Sequence, residues 1–205
     1  MEENRFRGST FPTVLGGEVV EQIKNYTRLV GRYIGAQGYR GMFGCDYIVD
    51  EYGQIHFVEI NARKQGTTFE STLTMLNRLP GHPNLPEIEF CAVTRGRLPK
   101  GLSEMDSTHS EICWGTYNVK SEQDIRVIRK LPTCQSEAEL FRQVSQEKGV
   151  LSRAIVEDHL GPGVYQRAGG FIGRCISVGK SLSGVHDQLI KRESEVKASI
   201  RPWLH

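Results

Sequence analysis

Apolar residues recur along this chain with two different periods, and the change from one to the other marks its elements. Between Glu18 and Gln37, the residues Val19, Val20, Ile23, Tyr26, Val30, Tyr33 and Ile34 follow helical spacing. That is the pattern of an amphipathic helix packed on a core. Gly38 stands where such a helix ends in a left-handed residue. The period then shortens to two. Cys45 to Asp50 and Gln54 to Asn61 are rich in β-branched and aromatic residues, and Asp50-Glu51-Tyr52-Gly53 between them has turn chemistry. A β-hairpin is the economical reading.

Further along, Thr67-Thr68-Phe69-Glu70 fits a capping box, opening a helix with Phe69, Leu73, Leu76 and Leu79 on one face before Pro80-Gly81. After a Pro-rich loop, strands are expected over Ile88 to Thr94 and Ile112 to Val119, the second with Trp114 and Tyr117 available for packing. Ser136-Glu137-Ala138-Glu139 heads a helix reaching Lys148. Leu151 to Glu157 reads as a strand, and Gly163 to Val178 as a hairpin turning at Ala168-Gly169-Gly170. A closing helix from Ser181 to Ile200 carries Leu182, Val185, Leu189, Val196 and Ile200. Residues 4–17 show no period and read as a loop, in which Arg5 and Arg7 are candidates to line a substrate site.

Composition narrows the partners. With 26 basic and 24 acidic residues in 205, the net charge of +2 gives no electrostatic case for nucleic acid or membranes. The chain is long enough for one large or two small domains. No run reaches membrane-spanning length and the N-terminus lacks a signal-peptide pattern. Cys45, Cys91, Cys113, Cys134 and Cys175 are scattered, so free thiols in a reducing cytoplasm are expected. Gly35, Gly38, Gly41 and Gly44 are not a dinucleotide fingerprint, because a helix precedes them and a strand follows. Gly179-Lys180-Ser181 is not a P-loop, since Arg174 stands where that motif needs glycine.

The hairpin carries the chemistry. Alternation along an unbroken strand puts Ile55, Phe57, Glu59 and Asn61 on one face, with His56 on the other, and Asp46, Ile48 and Asp50 on one face of the partner strand. A loop of two or four residues, or of three with a bulge, sets Asp46 opposite or diagonal to Glu59, with β-carbons ~5 to 8 Å apart. A hard cation such as Mg²⁺ takes oxygen ligands at ~2.1 Å and is held by one or two carboxylates plus substrate phosphates. Asp46, Glu59 and the amide oxygen of Asn61 supply such a set, and Arg63 adds a fork for phosphate or carboxylate. Cys45 points away from Asp46 and is read as packing. Gly66, Thr67 and Thr68, at a helix N-terminus, are candidate anion contacts. A solvated surface hairpin followed by an ordinary capped helix is the competing reading.

Asp46, then Glu59-Ile60-Asn61-Ala62-Arg63 after a turn, with Gly66 beyond, resembles the metal-binding hairpin of the ATP-grasp superfamily. Gly170 to Leu182 is also similar to the C-terminal strand and helix of such ligases. The resemblance implies an α+β fold. Residues 1–107 would form the C-terminal lobe of an ATP-grasp domain, an antiparallel sheet with flanking helices and a metal-binding hairpin at 43–63. Residues 108–205 would form a smaller α+β extension, similar to peptide-forming ligases of the pheganomycin type. It implies an ATP-dependent ligase that joins a carboxylate to an amine through an acyl phosphate, with ATP and Mg²⁺ or Mn²⁺ as cofactors. Asp46, Glu59 and Asn61 would be metal ligands, and Glu59, Asn61 and Arg63 ATP-phosphate contacts. Arg63 would be catalytic, and Gly66, Thr67, Thr68 and Arg7 substrate contacts. Too few residues precede Asp46 for the lobe that brings lysines over the phosphates, so this chain alone is expected to be inactive and to need that lobe as a partner. The alternative is a catalytically incomplete α+β module that binds a partner subunit or a small anion.

Overall fold

The computed structural model describes residues 8–79, 81–102, 104–129, 131, 136–148, 152–158 and 160–200. In chain order the elements are β1 (Gly8–Phe11), α1 (Gly17–Ala36), β2 (Gly44–Val49), β3 (Ile55–Asn61), α2 (Thr68–Arg78), α3 (Leu85–Arg95), β4 (Cys113–Lys120), β5 (Ile125–Arg126), α4 (Glu137–Gln146), β6 (Ser152–Asp158), β7 (Tyr165–Gln166), β8 (Phe171–Gly179) and α5 (Leu182–Ile200). They divide into two compact units, Thr13–His109 and Met1–Pro12 with Ser110–His205.

In the unit Thr13–His109, α1 forms where the apolar period places it, and Gly38 follows with φ 93°. Its burial is thinner than the pattern implies. Val20 is buried, whereas Tyr26 and Tyr33 of the expected core stripe are exposed. The stripe on α2 is also displaced. Leu73 is buried with Thr72 and Met75, while Phe69 and Leu76 lie exposed. The expected Thr67 capping box does not form: Thr67 makes no side-chain cap bond, and it is Thr68 Oγ that accepts from Gln65 N, at 2.8 Å. The segment expected as a strand over Ile88 to Thr94 is helix α3. The alternation of Ile88, Phe90 and Ala92 is overruled by its ends. Asn84 accepts from Glu87 N at 3.2 Å while the Glu87 carboxylate accepts from Asn84 N at 2.9 Å, Pro86 sits in the first turn, and Gly96 closes the helix at φ 62°.

The other unit is built on an antiparallel sheet of order β1-β4-β8-β6. Part of the segment read as a loop is therefore strand β1, whose Phe11 stacks on Trp114 at 5.6 Å between ring centroids. β8 lies between β4 and β6, so the expected hairpin over Gly163 to Val178 does not exist. Instead β7 pairs with β5, because the Asp124 carboxylate takes hydrogen bonds from Tyr165 Oη and from Ala168 N and holds that segment to β5. α4 and α5 form as expected, with Ser136 accepting from Glu139 N at 3.2 Å. Val185, Leu189, Val196 and Ile200 of α5 join Cys113, Val156, Ile172 and Cys175 in one buried cluster. Gly115 permits this approach: a Cβ there would lie 2.7 Å from Leu189 Cδ1.

Candidate functional site

β2 and β3 pair antiparallel, with Gly44 opposite Asn61 and Asp46 opposite Glu59. A bulge follows: Tyr47 faces Phe57, so Val58 has no counterpart. This corrects the expected facing. Phe57 goes with Tyr47, ring centroids 5.7 Å apart and edge to face, while His56 lies opposite Ile48 and so on the side of Asp46 and Glu59. The bulge is what brings the two carboxylates into direct opposition across a loop of odd length.

The loop is fixed by Asp50. One carboxylate oxygen accepts from Tyr52 N and Gln54 N, both at 2.9 Å, and the other meets His56 Nε2 at 3.0 Å. The His56 bond first, then the backbone donors, hold the Asp50 carboxyl below its ordinary range. Midway along β2 the hairpin is tied to α1, where Tyr47 Oη and Thr27 Oγ1 lie 3.0 Å apart. Burial is the main cause that pushes the Cys45 thiol up, which keeps it protonated and suits a packing role.

The residues singled out for cation and phosphate chemistry come together. Asn61 Nδ2 donates to Glu59 Oε1 at 2.9 Å and to Asp46 Oδ2 at 3.3 Å. Arg63 Nη2 donates to Asn61 Oδ1 at 3.0 Å and its Nη1 to Lys64 O at 3.2 Å. Asp46, Glu59 and Arg63 are exposed and Asn61 is half-buried. Among the described residues no three His, Cys, Asp or Glu side chains are grouped to hold a metal. The hairpin offers two carboxylates and an amide, an all-oxygen set of hard donors once the amide turns its oxygen inward. Gly66 and Thr67 occupy the turn before α2, and Thr68 opens it, its hydroxyl 3.8 Å from Met42 Sδ. Arg7 and Arg5 lie outside the described residues.

Gln65 was not legible as a site residue. Its Nε2 donates to Asn61 O at 3.2 Å and Arg63 O at 3.0 Å, clamping the strand exit. The clamp needs Gly44, where a Cβ would lie 2.6 Å from Gln65 Cδ. A glycine opening β2 is the one sequence mark of that contact. Lys64 and Glu89, paired at 3.0 Å, also went unread, because both lie outside the periodic faces.

No family model and no curated protein matches the chain. Solved structures do, all at low identity, and what they share with this chain is the fold. An L-amino acid ligase from Bacillus licheniformis is similar over 93% of this chain and 43% of its own, with TM-score 0.63 and 13% identity. The biotin carboxylase domain of a single-chain bacterial carboxylase is similar over 93% and 40%, with TM-score 0.61 and 13% identity. The biotin carboxylase domain of Hydrogenobacter thermophilus 2-oxoglutarate carboxylase, solved with MgADP and bicarbonate, is similar over 92% and 38%, with TM-score 0.59 and 16% identity. The chain spans less than half the length of these structures.

Proposed function

We propose that this chain is the C-terminal part of an ATP-dependent ligase that joins a carboxylate to an amine through an acyl phosphate, with Mg-ATP at the acidic hairpin. The observation that carries the reading is the opposition of Asp46 and Glu59, both accepting from the one amide of Asn61 while Arg63 holds that amide's oxygen. Two carboxylates converging on a single donor form a site with affinity for positive charge, and their hard oxygens suit Mg²⁺ or Mn²⁺. Asp46, Glu59 and Asn61 would hold the cation, which supplies charge neutralisation to a transferring phosphoryl group.

The chain's own residues do the rest. Arg63 contacts the phosphate or acyl phosphate through a planar fork that a lysine cannot reproduce. Gln65 fixes the backbone on both sides of Arg63. Gly66, Thr67 and Thr68 offer substrate contacts at the start of α2. Lysines over the phosphates come from a further lobe, a partner this chain requires for turnover. The exposed apolar side chains of the hairpin, Ile48, Phe57 and Val58, are in keeping with such a cover. We place the reaction in the cytoplasm, in keeping with the free thiols of Cys45, Cys91, Cys113 and Cys175.

Isothermal titration tests the reading. A non-hydrolysable ATP analogue with Mg²⁺ should bind when the further lobe is restored and not bind at micromolar concentration to this chain alone. Tight binding to the lone chain would show that the nucleotide site lies elsewhere.

A further inference from the structure

The unit Thr13–His109 contains a second feature, a cavity of about 380 Å³ that Asp46, Glu59, Asn61 and Arg63 do not line. Ile34 of α1, Met42 and Phe43 ahead of β2, Ile88 and Ala92 of α3, and Leu98 make its walls apolar. The volume is that of a small-molecule site. α3 has no buried residue, and Ile88 and Ala92 on the flank facing the cavity are only half-buried.

The charges at this cavity decide what it takes. Glu89 is already neutralised: one carboxylate oxygen pairs with Lys64 Nζ at 3.0 Å and the other accepts from Met42 N at 3.4 Å. Arg40 Nη1 donates at 2.7 and 2.9 Å to Gly35 O and Tyr39 O, which are neutral acceptors. Among the described residues neither Arg40 nor Arg97 forms an ion pair, and both line the cavity. An apolar body with a negative head therefore satisfies the cavity. A cation would meet a carboxylate that is already paired, and a neutral hydrocarbon would make no use of the two exposed guanidinium groups, which are free to fork onto an anion.

We propose that this cavity binds a small hydrophobic carboxylate. Its aryl or branched alkyl body lies against Ile34, Met42, Phe43, Ile88 and Leu98, and its carboxylate is held by Arg40 and Arg97. The proposal stands independently of the ligase reading. It also sets the ligand beside the open end of the hairpin, since Met42 precedes Gly44 by two positions and Glu89 grips Lys64, the neighbour of Arg63.

Calorimetric titration of the 205-residue chain with phenylbutyrate, phenylbutanol and phenylbutylamine tests it. The carboxylate should bind about tenfold or more tighter than the alcohol, the worth of one charge-assisted hydrogen bond. Arg97→Gln, at an exposed position, should erase that preference and leave the alcohol's affinity unchanged. Ala92→Trp should fill the cavity and abolish binding of all three, with unchanged far-ultraviolet circular dichroism. If Ala92→Trp does not fold, chemical-shift changes at the Ile88 and Met42 methyls of the unmodified chain locate the ligand instead. No binding of the carboxylate at millimolar concentration overturns the proposal. So does equal affinity for acid and alcohol, tighter binding of the amine, acid binding indifferent to Arg97→Gln, or methyl shifts elsewhere.

Discussion

β8 and β3 have similar β-branched and aromatic composition and opposite fates. β8 has neighbours on both edges, and Ile172, Cys175, Ile176 and Val178 are wholly buried. Among the described residues β3 pairs with β2 alone, and it has no buried residue and leaves Phe57 51% exposed. A two-stranded sheet is marginal by itself in water, so the hairpin depends on its tethers: Tyr47 to Thr27, Gln65 across Gly44, and the Asp50 loop. The same exposure leaves the side chains of Asp46 and Glu59 open to solvent. One sheet carries the stability of its unit, and the other trades stability for accessible carboxylates.

Two phenylalanines test that contrast. Phe141 on α4 is fully buried, and Phe141→Ala should cost about 3–5 kcal/mol by denaturant unfolding. Phe57→Ala, losing half-exposed area, should cost less than about 1 kcal/mol. Similar losses from both would mean that the hairpin is covered in solution.

Activity should show the reverse ranking. On the proposed ligase reading, with the proposed further lobe supplied, Glu59→Gln should lower turnover at least about 100-fold, some ~2.7 kcal/mol of transition-state stabilisation, with little change in melting temperature. His56→Ala should leave turnover nearly unchanged, although the bulge places His56 on the side of Glu59. Equal losses from the two would give His56 a part in the site. Arg63→Lys should cost about tenfold, ~1.4 kcal/mol, again without loss of stability. A variant that loses stability and turnover together would make Arg63 a support for Asn61 instead.

The legible parts were those set by local chemistry. α1 and the strands of the hairpin follow from period and turn residues, and the nearness of Asp46 and Glu59, opposite or diagonal, from alternation, whereas their direct opposition required the bulge. Errors arose where a capping signal or a distant partner outweighs the period. Asn84, Pro86, Glu87 and Gly96 spell a helix that the alternation of Ile88, Phe90 and Ala92 conceals. β1 has little hydrophobic pattern because pairing along β4 defines it, with Ser9 N bonded to Thr116 Oγ1 at 3.1 Å. The facing of Phe57 and His56 turned on a bulge at Val58, which no residue type there announces.

The smallest expected effect concerns the tip of the hairpin. Asp50 titrates below the ordinary carboxylate value because its charged form accepts from His56 and from the amides of Gln54 and Tyr52. A carboxyl whose folded value is depressed adds stability that is fully present above its unfolded value, about 3.9, and is lost as pH falls through the folded value. In the buried sheet the strands are held by packing and should not respond in that window. Carbon-detected titration of the Asp50 carboxyl should give a value below the ordinary one, and His56→Ala should raise it. Amide exchange of Tyr52 and Gln54 should quicken below that value while the amides of β8 stay protected. If His56→Ala left Asp50 unmoved, the backbone donors alone would account for the depression, and the loop would keep its shape without the imidazole.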